Sequence, residues 1–172
     1  MKVTEIICPQ PYYAPENSSI IEPVFFAFEA DFVEDNVRCI PMIVRFKLDA
    51  SGIKLKLSEW SRLTIEERNL LAALPCSAKK EVLCYRNYLR QLVFKRTGTA
   101  ATGLVIDINP DWANENKLPE MLVGKLQECR WFISLRQWAC LTSLQRFVLV
   151  KLCRPGHENK NFPKAMKEFG LV

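Results

Sequence analysis

A 31-residue stretch occurs twice in this chain, and the repeat limits the possible folds more than any other feature. Residues 44–74 (VRFKLDASGIKLKLSEWSRLTIEERNLLAAL) and 122–152 (LVGKLQECRWFISLRQWACLTSLQRFVLVKL) align after a shift of 78 positions without a gap. Nine residues coincide, among them Lys47/Lys125, Trp60/Trp138, Thr64/Thr142, Arg68/Arg146 and Leu71/Leu149, and Pro41 and Pro119 fall into register just before each copy. Apolar character persists between the identities, at Ile53/Trp131 and Leu55/Ile133. Such a repeat is one packing unit used twice. It predicts the same backbone path for both copies, with Trp60 and Trp138 in equivalent buried positions near a pseudo-twofold axis.

The punctuation inside the copies is helical. Pro41 suits a helix start, and Gly52 stops the helix that follows. Ile53 to Leu57 alternates, which reads as a short strand or an extended link. Thr64-x-x-Glu67 is a capping box, in which the Thr hydroxyl accepts the Glu amide and the Glu carboxylate returns to the Thr amide. The second copy repeats it as Thr142-x-x-Gln145. A third helix trails each copy: one from Ser77 to about Lys95, and a shorter one over residues 157–169 beyond the Pro155-Gly156 break. Residues 26–32, with Phe26, Phe28, Ala30 and Phe32 in alternation, read as an extended segment with one buried face. The expected fold is all-α: a pseudo-symmetric pair of three-helix units (about 41–96 and 119–169) joined by a Gly/Thr/Asn-rich connector (97–118), with an extended N-terminal arm and room for two very short strands. Residues 25–172 then form one helical domain, and the Pro-rich residues 1–24 an extended, mobile lead.

Composition excludes several classes. At 49% apolar the chain is a folded protein. Its apolar runs are far shorter than the ~20 residues needed to cross a bilayer, so no membrane span is expected. The first residues lack the apolar stretch of a signal peptide, which predicts a soluble, cytoplasmic protein. Residues 1–35 carry seven acids and one Lys, and the remainder 23 bases and 12 acids. A basic body behind an acidic arm calls for an anionic partner or an arm lying on its own body.

Sites for chemistry are sparse. Phosphate-binding glycine loops, nucleophile elbows and H-E-x-x-H are absent, and one His in 172 residues cannot build a His-based metal centre. The seven cysteines contain no C-x-x-C, so free thiols are expected, with no metal or cofactor; a Cys-dependent carrier of metal or cofactor is the alternative. Arg68 and Arg146 could bind phosphate or carboxylate, but their recurrence in both copies favours a structural role, as for Trp60, Trp138, Thr64 and Thr142. A helix–turn–helix-like DNA-binding regulator is a further alternative, weakened by Glu66 and Glu67 on the helix that would face phosphate. The most distinctive polar run is residues 154–161 (RPGHENKN). It has no apolar periodicity, and Arg154, His157, Glu158, Asn159, Lys160 and Asn161 are candidate partner-binding residues; His157 and Asn159 could instead cap the last helix.

FAFEADFVE (26–34), RCIPMIVRFKLD (38–49), G-I-K-L-x-L-x-x-W (52–60), L-T-x-x-x-R (63–68), L-x-x-L-P-C (71–76) and LQRFVLVKLCRPGHENKNFPKAMKEFGL (144–171) resemble the nitrate reductase associated proteins of cyanobacteria and some other bacteria. The resemblance runs from about residue 25 to 172, and residues 154–162 are its most specific part. It implies an accessory protein, not an enzyme, that supports the activity or maturation of the ferredoxin-dependent assimilatory nitrate reductase, a cytoplasmic molybdenum and iron–sulfur enzyme. It brings no catalytic residues with it.

Overall fold

The computed structural model describes residues 25–33, 37–154 and 157–172, with the backbone alone described at 31, 32, 157 and 158. The expected lead 1–24 lies outside the described residues. Within them the fold is all-α, with one two-residue antiparallel ladder. A 3-10 turn (Ala27–Glu29) runs into α1 (Ala30–Val33). The first copy holds α2 (Met42–Ser51), β1 (Ile53–Lys54), α3 (Leu57–Trp60), α4 (Ile65–Ala73) and α5 (Lys79–Thr97). β2 (Thr102–Gly103) in the connector pairs with β1, Ile53 opposite Gly103. A 3-10 turn (Asp111–Ala113) leads to the second copy: α6 (Glu120–Cys129), α7 (Leu135–Cys140), α8 (Ser143–Leu152), a 3-10 turn (His157–Asn161) and α9 (Phe162–Glu168).

The helix starts keep the sequence register. Residues 42, 57, 65 and 79 begin elements in copy one, and 120, 135, 143 and 157, each 78 later, begin their counterparts. Thr64 and Thr142 accept the amides of Glu67 and Gln145, and those side chains return to the Thr amides at 2.9 Å. A second pair follows: Glu59 accepts from Lys56 N (2.7 Å), half of such a box, and in copy two the box is complete, Gln137 accepting from Ser134 N (2.9 Å) while Ser134 Oγ accepts from Gln137 N (3.2 Å). Copy one uses Glu at both places and copy two Gln. The helix-start bond is therefore kept while the charge is dropped.

Both first helices end in a left-handed residue that closes the last turn, Gly52 (φ 66°) and Arg130 (φ 57°), again 78 apart. Glycine adopts this conformation without the steric cost a side chain incurs. At Gly52 an added Cβ would also lie 2.9 Å from Ile106 Cγ1 and 3.0 Å from the Leu104 carbonyl oxygen. Gly52→Ala should therefore cost about 1–2 kcal/mol, whereas Arg130→Gly should gain about 0.5–1 kcal/mol. Thermal unfolding of the two variants checks the pair; equal and small shifts would contradict it.

The core is two clusters, one per copy, joined through α2. Val44 and Leu48 face copy one's cluster with Trp60, Leu71, Tyr85 and Leu89. Met42 belongs to copy two's cluster with Trp138, Phe147 and Phe162, and Phe46 lies 5.2 Å from both the Trp112 and Phe147 rings. Asp49, on the same side of α2, pairs with Lys151 at 2.8 Å. The contact is one-sided. Where copy one has Met42, Phe46 and Asp49, copy two has Glu120, Gly124 and Gln127; the counterparts of Phe147 and Lys151 are Asn69 and Ala73. A Cβ at Gly124 would touch nothing within 4 Å, and Asn69 is exposed. A pseudo-twofold axis would demand the reciprocal contact, so the expected two-fold relation is not the one adopted. The residues that would have made a second such interface are polar or small.

Residues 26–32 are not the extended segment that alternation predicts. Their amides are claimed by carboxylates that hold a turn: Glu168 accepts Ala27 N (2.8 Å) and Phe28 N (3.0 Å), and Glu29 accepts Phe26 N (3.3 Å). Phe26 and Phe28 stack on each other and join copy two's core, Phe26 meeting Phe169 edge-on at 5.3 Å. The segment thus packs on the last helix before the chain enters copy one.

Candidate functional site

The charged side chains that lie deepest are held by backbone groups. Arg146, 2% exposed, donates to the carbonyls of Trp112 (2.9 Å) and Leu141 (2.7 Å) and to Glu115 (2.8 Å), while its guanidinium lies 5.9 Å from the Trp138 ring centre. Arg68 does the same in copy one, donating to Trp60, Ser61 and Val37 carbonyls and lying 5.7 Å over Trp60. Each Trp indole N–H donates to the segment entering its own copy: Trp60 to the Val37 carbonyl (2.8 Å) and Trp138 to that of Asn114 (2.9 Å). The Arg–Trp pair thus clamps the chain before each repeat to the repeat itself.

Lys47, buried, donates to the carbonyls of Ala72 and Leu74, the latter at 2.6 Å, where Pro75 ends α4 and leaves them open. Burial lowers its pKa to about 8. Lys125 has the same register but turns to Glu128 (2.8 Å), which stands where copy one has Ala50. Glu29 is buried too and accepts the first amide of α2, Met42 N, at 2.8 Å. Desolvation raises its pKa to about 7, against the pull of its backbone donors and Arg45. Sequence reasoning missed Glu29 because nothing local distinguishes it from Glu22 or Glu34; its partner amide is thirteen residues away.

The candidate run 154–161 follows α8. Arg154 is exposed, its amide donating to the Lys151 carbonyl (3.3 Å). Lys160 is exposed, and Asn159 and Asn161 are half-buried on the 3-10 turn His157–Asn161, which packs on α8 and α9. The side chains of His157 and Glu158 lie outside the described residues, so the capping role weighed for His157 falls there too. At the start of α9 the cap position belongs to Asn161, in helical conformation (φ −88°, ψ −10°) and without a side-chain cap bond. Arg154 and Lys160 are thus both on the surface, Arg154 three residues beyond Lys151, which pairs with Asp49. An open hollow of about 820 Å³ lies elsewhere, between the connector and the start of α6, with Asp111, Lys117 and Glu120 on its wall.

The thiols are not poised for nucleophilic work where they are buried. Burial pushes Cys76 up to about 11 and Cys153 up to about 12, and the thiolate is the reactive form. Among the described residues the cysteines are free, and no three His, Cys, Asp or Glu side chains could jointly hold a metal ion. Among them, too, no helix is long and apolar enough to cross a membrane.

No curated protein and no solved structure matches the chain. Residues 25–169, which span both copies, both Arg–Trp clamps, Glu29 and the run 154–161, match the family described as conserved nitrate reductase-associated protein. By that match the chain belongs to the nitrate reductase-associated family.

Proposed function

We propose that the protein is a non-catalytic, cytoplasmic accessory factor of the ferredoxin-dependent assimilatory nitrate reductase, and that it works by protein–protein binding through the run 154–161. The observation that carries this reading is the family match over residues 25–169. The side-chain geometry supports it: Arg68, Arg146, Lys47, Glu59 and Glu29 are engaged with backbone groups, which makes them structural residues. Arg154 and Lys160 of the run are exposed, groups that can pair with carboxylates of a partner.

A charged contact at the centre of an interface is worth roughly 1–3 kcal/mol when truncated, and little at the rim. Arg154→Glu with Lys160→Glu should therefore weaken co-purification with nitrate reductase at least tenfold and lower nitrate reduction in a strain that depends on this protein. A folded double variant with normal complex formation and normal nitrate reduction would move the contact elsewhere.

A further inference from the structure

Two segments of opposite charge, each carrying exposed apolar side chains, follow one another along the chain. α5 buries Tyr85, Leu89, Leu92 and Val93 on its inner side. On its outer side Leu83 is 55% and Phe94 60% exposed. Eleven residues are three helical turns, so the two lie on one stripe about 16 Å apart, with exposed Arg90 between them. The helix has six bases and one acid. Arg86 is committed to the Ser51 carbonyl and Arg96 to Glu67. Lys79, Lys80 and Arg90 are exposed and make no ion pair among the described residues.

Five residues after α5 ends, β2 opens the connector, where Val105 is 92% and Ile108 86% exposed. Asp107 and Asp111 are exposed beside them, and residues 104–120 hold four acids against one Lys. Leu104, Val105, Ile106 and Ile108 are exposed within five residues, and exposed apolar patches rimmed by polar groups mark interaction surfaces.

We propose that these are the two halves of a self-association surface: in a symmetric pair of chains, each α5 outer face lies against the connector 104–111 of the other. The charges are complementary within a single sequence, and among the described residues none of Lys79, Lys80, Arg90, Asp107 and Asp111 is in an ion pair. A two-fold axis that brings one α5 onto the partner's connector forms the reciprocal contact as well, which closes a dimer.

The test is light scattering of the full chain against protein concentration and salt. The wild type should dimerise in the range of about 10–100 µM at low ionic strength and dissociate at high salt, where exposed charge pairs are screened. Lys80→Glu with Arg90→Glu, and separately Asp107→Lys with Asp111→Lys, should each weaken the dimer at least tenfold. Mixing the two variants should restore a heterodimer, because each then offers the charge the other needs, and circular dichroism confirms that both fold. A wild type that stays monomeric at about 100 µM in low salt, or variants whose mixture does not recover the pair, would overturn the proposal. So would a monomer whose α5 reversal impairs only capture of nitrate reductase, which would assign that face to the reductase.

Discussion

Trp138→Ala is expected to cost about 3–5 kcal/mol of stability, and Trp60→Ala a similar amount. Both rings are fully buried and each indole N–H has a carbonyl partner. The ring is also one wall of the pocket that holds Arg146, which is 2% exposed. Truncation therefore adds a second penalty to the cavity, because a guanidinium buried against an aromatic face is left against a void. Domains of this size are stable by only about 5–15 kcal/mol, so either variant should unfold at a much lower urea concentration. Arg146→Met in the Trp138→Ala background measures the coupling: if the two act as one clamp, the double variant loses less than the sum of the singles. A loss under about 1 kcal/mol for either Trp would mean that the duplicated ring is not a core anchor.

The repeat made the helices legible because helix starts are local events. Thr64 and Thr142 bond amides three residues on, and their boxes recur at a fixed offset, so pattern and geometry coincide. The Arg–Trp pairing was half visible. Both residues recur in the copies, which favoured structure over ligand binding, but three of the carbonyls they hold, those of Val37, Trp112 and Asn114, lie outside the repeat. Two features were hidden because they depend on distant chain. The turn at 26–29 alternates like a strand, and only Glu168, some 140 residues away, shows why its amides need no sheet. The one-sided contact between copies was readable in principle from Met42/Glu120 and Phe46/Gly124, differences that a search for identities passes over. The candidate run 154–161 stood out for its polarity, and the proposal that it meets a partner rests on that and on the family resemblance, not on geometry.

Glu29→Gln should remove a pH dependence of stability between about 4.5 and 7. The carboxyl is buried where α2 begins, and desolvation raises its pKa from 4.5 to about 7 even though Met42 N, Phe26 N and Arg45 favour the charged form; Glu168 opposes them. A raised pKa means that the folded chain binds the proton more tightly than the unfolded chain. Its stabilising contribution is therefore fully present below about 4.5 and is lost as pH rises through about 7. The full shift corresponds to about 3 kcal/mol at most. Gln keeps an acceptor for Met42 N but cannot ionise, so relative to wild type it should gain up to about 3 kcal/mol between pH 5 and pH 8. Urea unfolding of both proteins across that range reads the difference directly, and other titrating groups cancel in the comparison. Glu29 also joins the two halves of the molecule: one oxygen holds α2 of copy one, the other a turn packed on copy two. Ionisation should then loosen that turn first, so the protection of the Phe26 and Met42 amides, relative to their intrinsic exchange rates, should fall above pH 7 in the wild type and not in the variant. Parallel stability curves for the two proteins would show that the carboxyl is hydrated enough to ionise at its ordinary pKa.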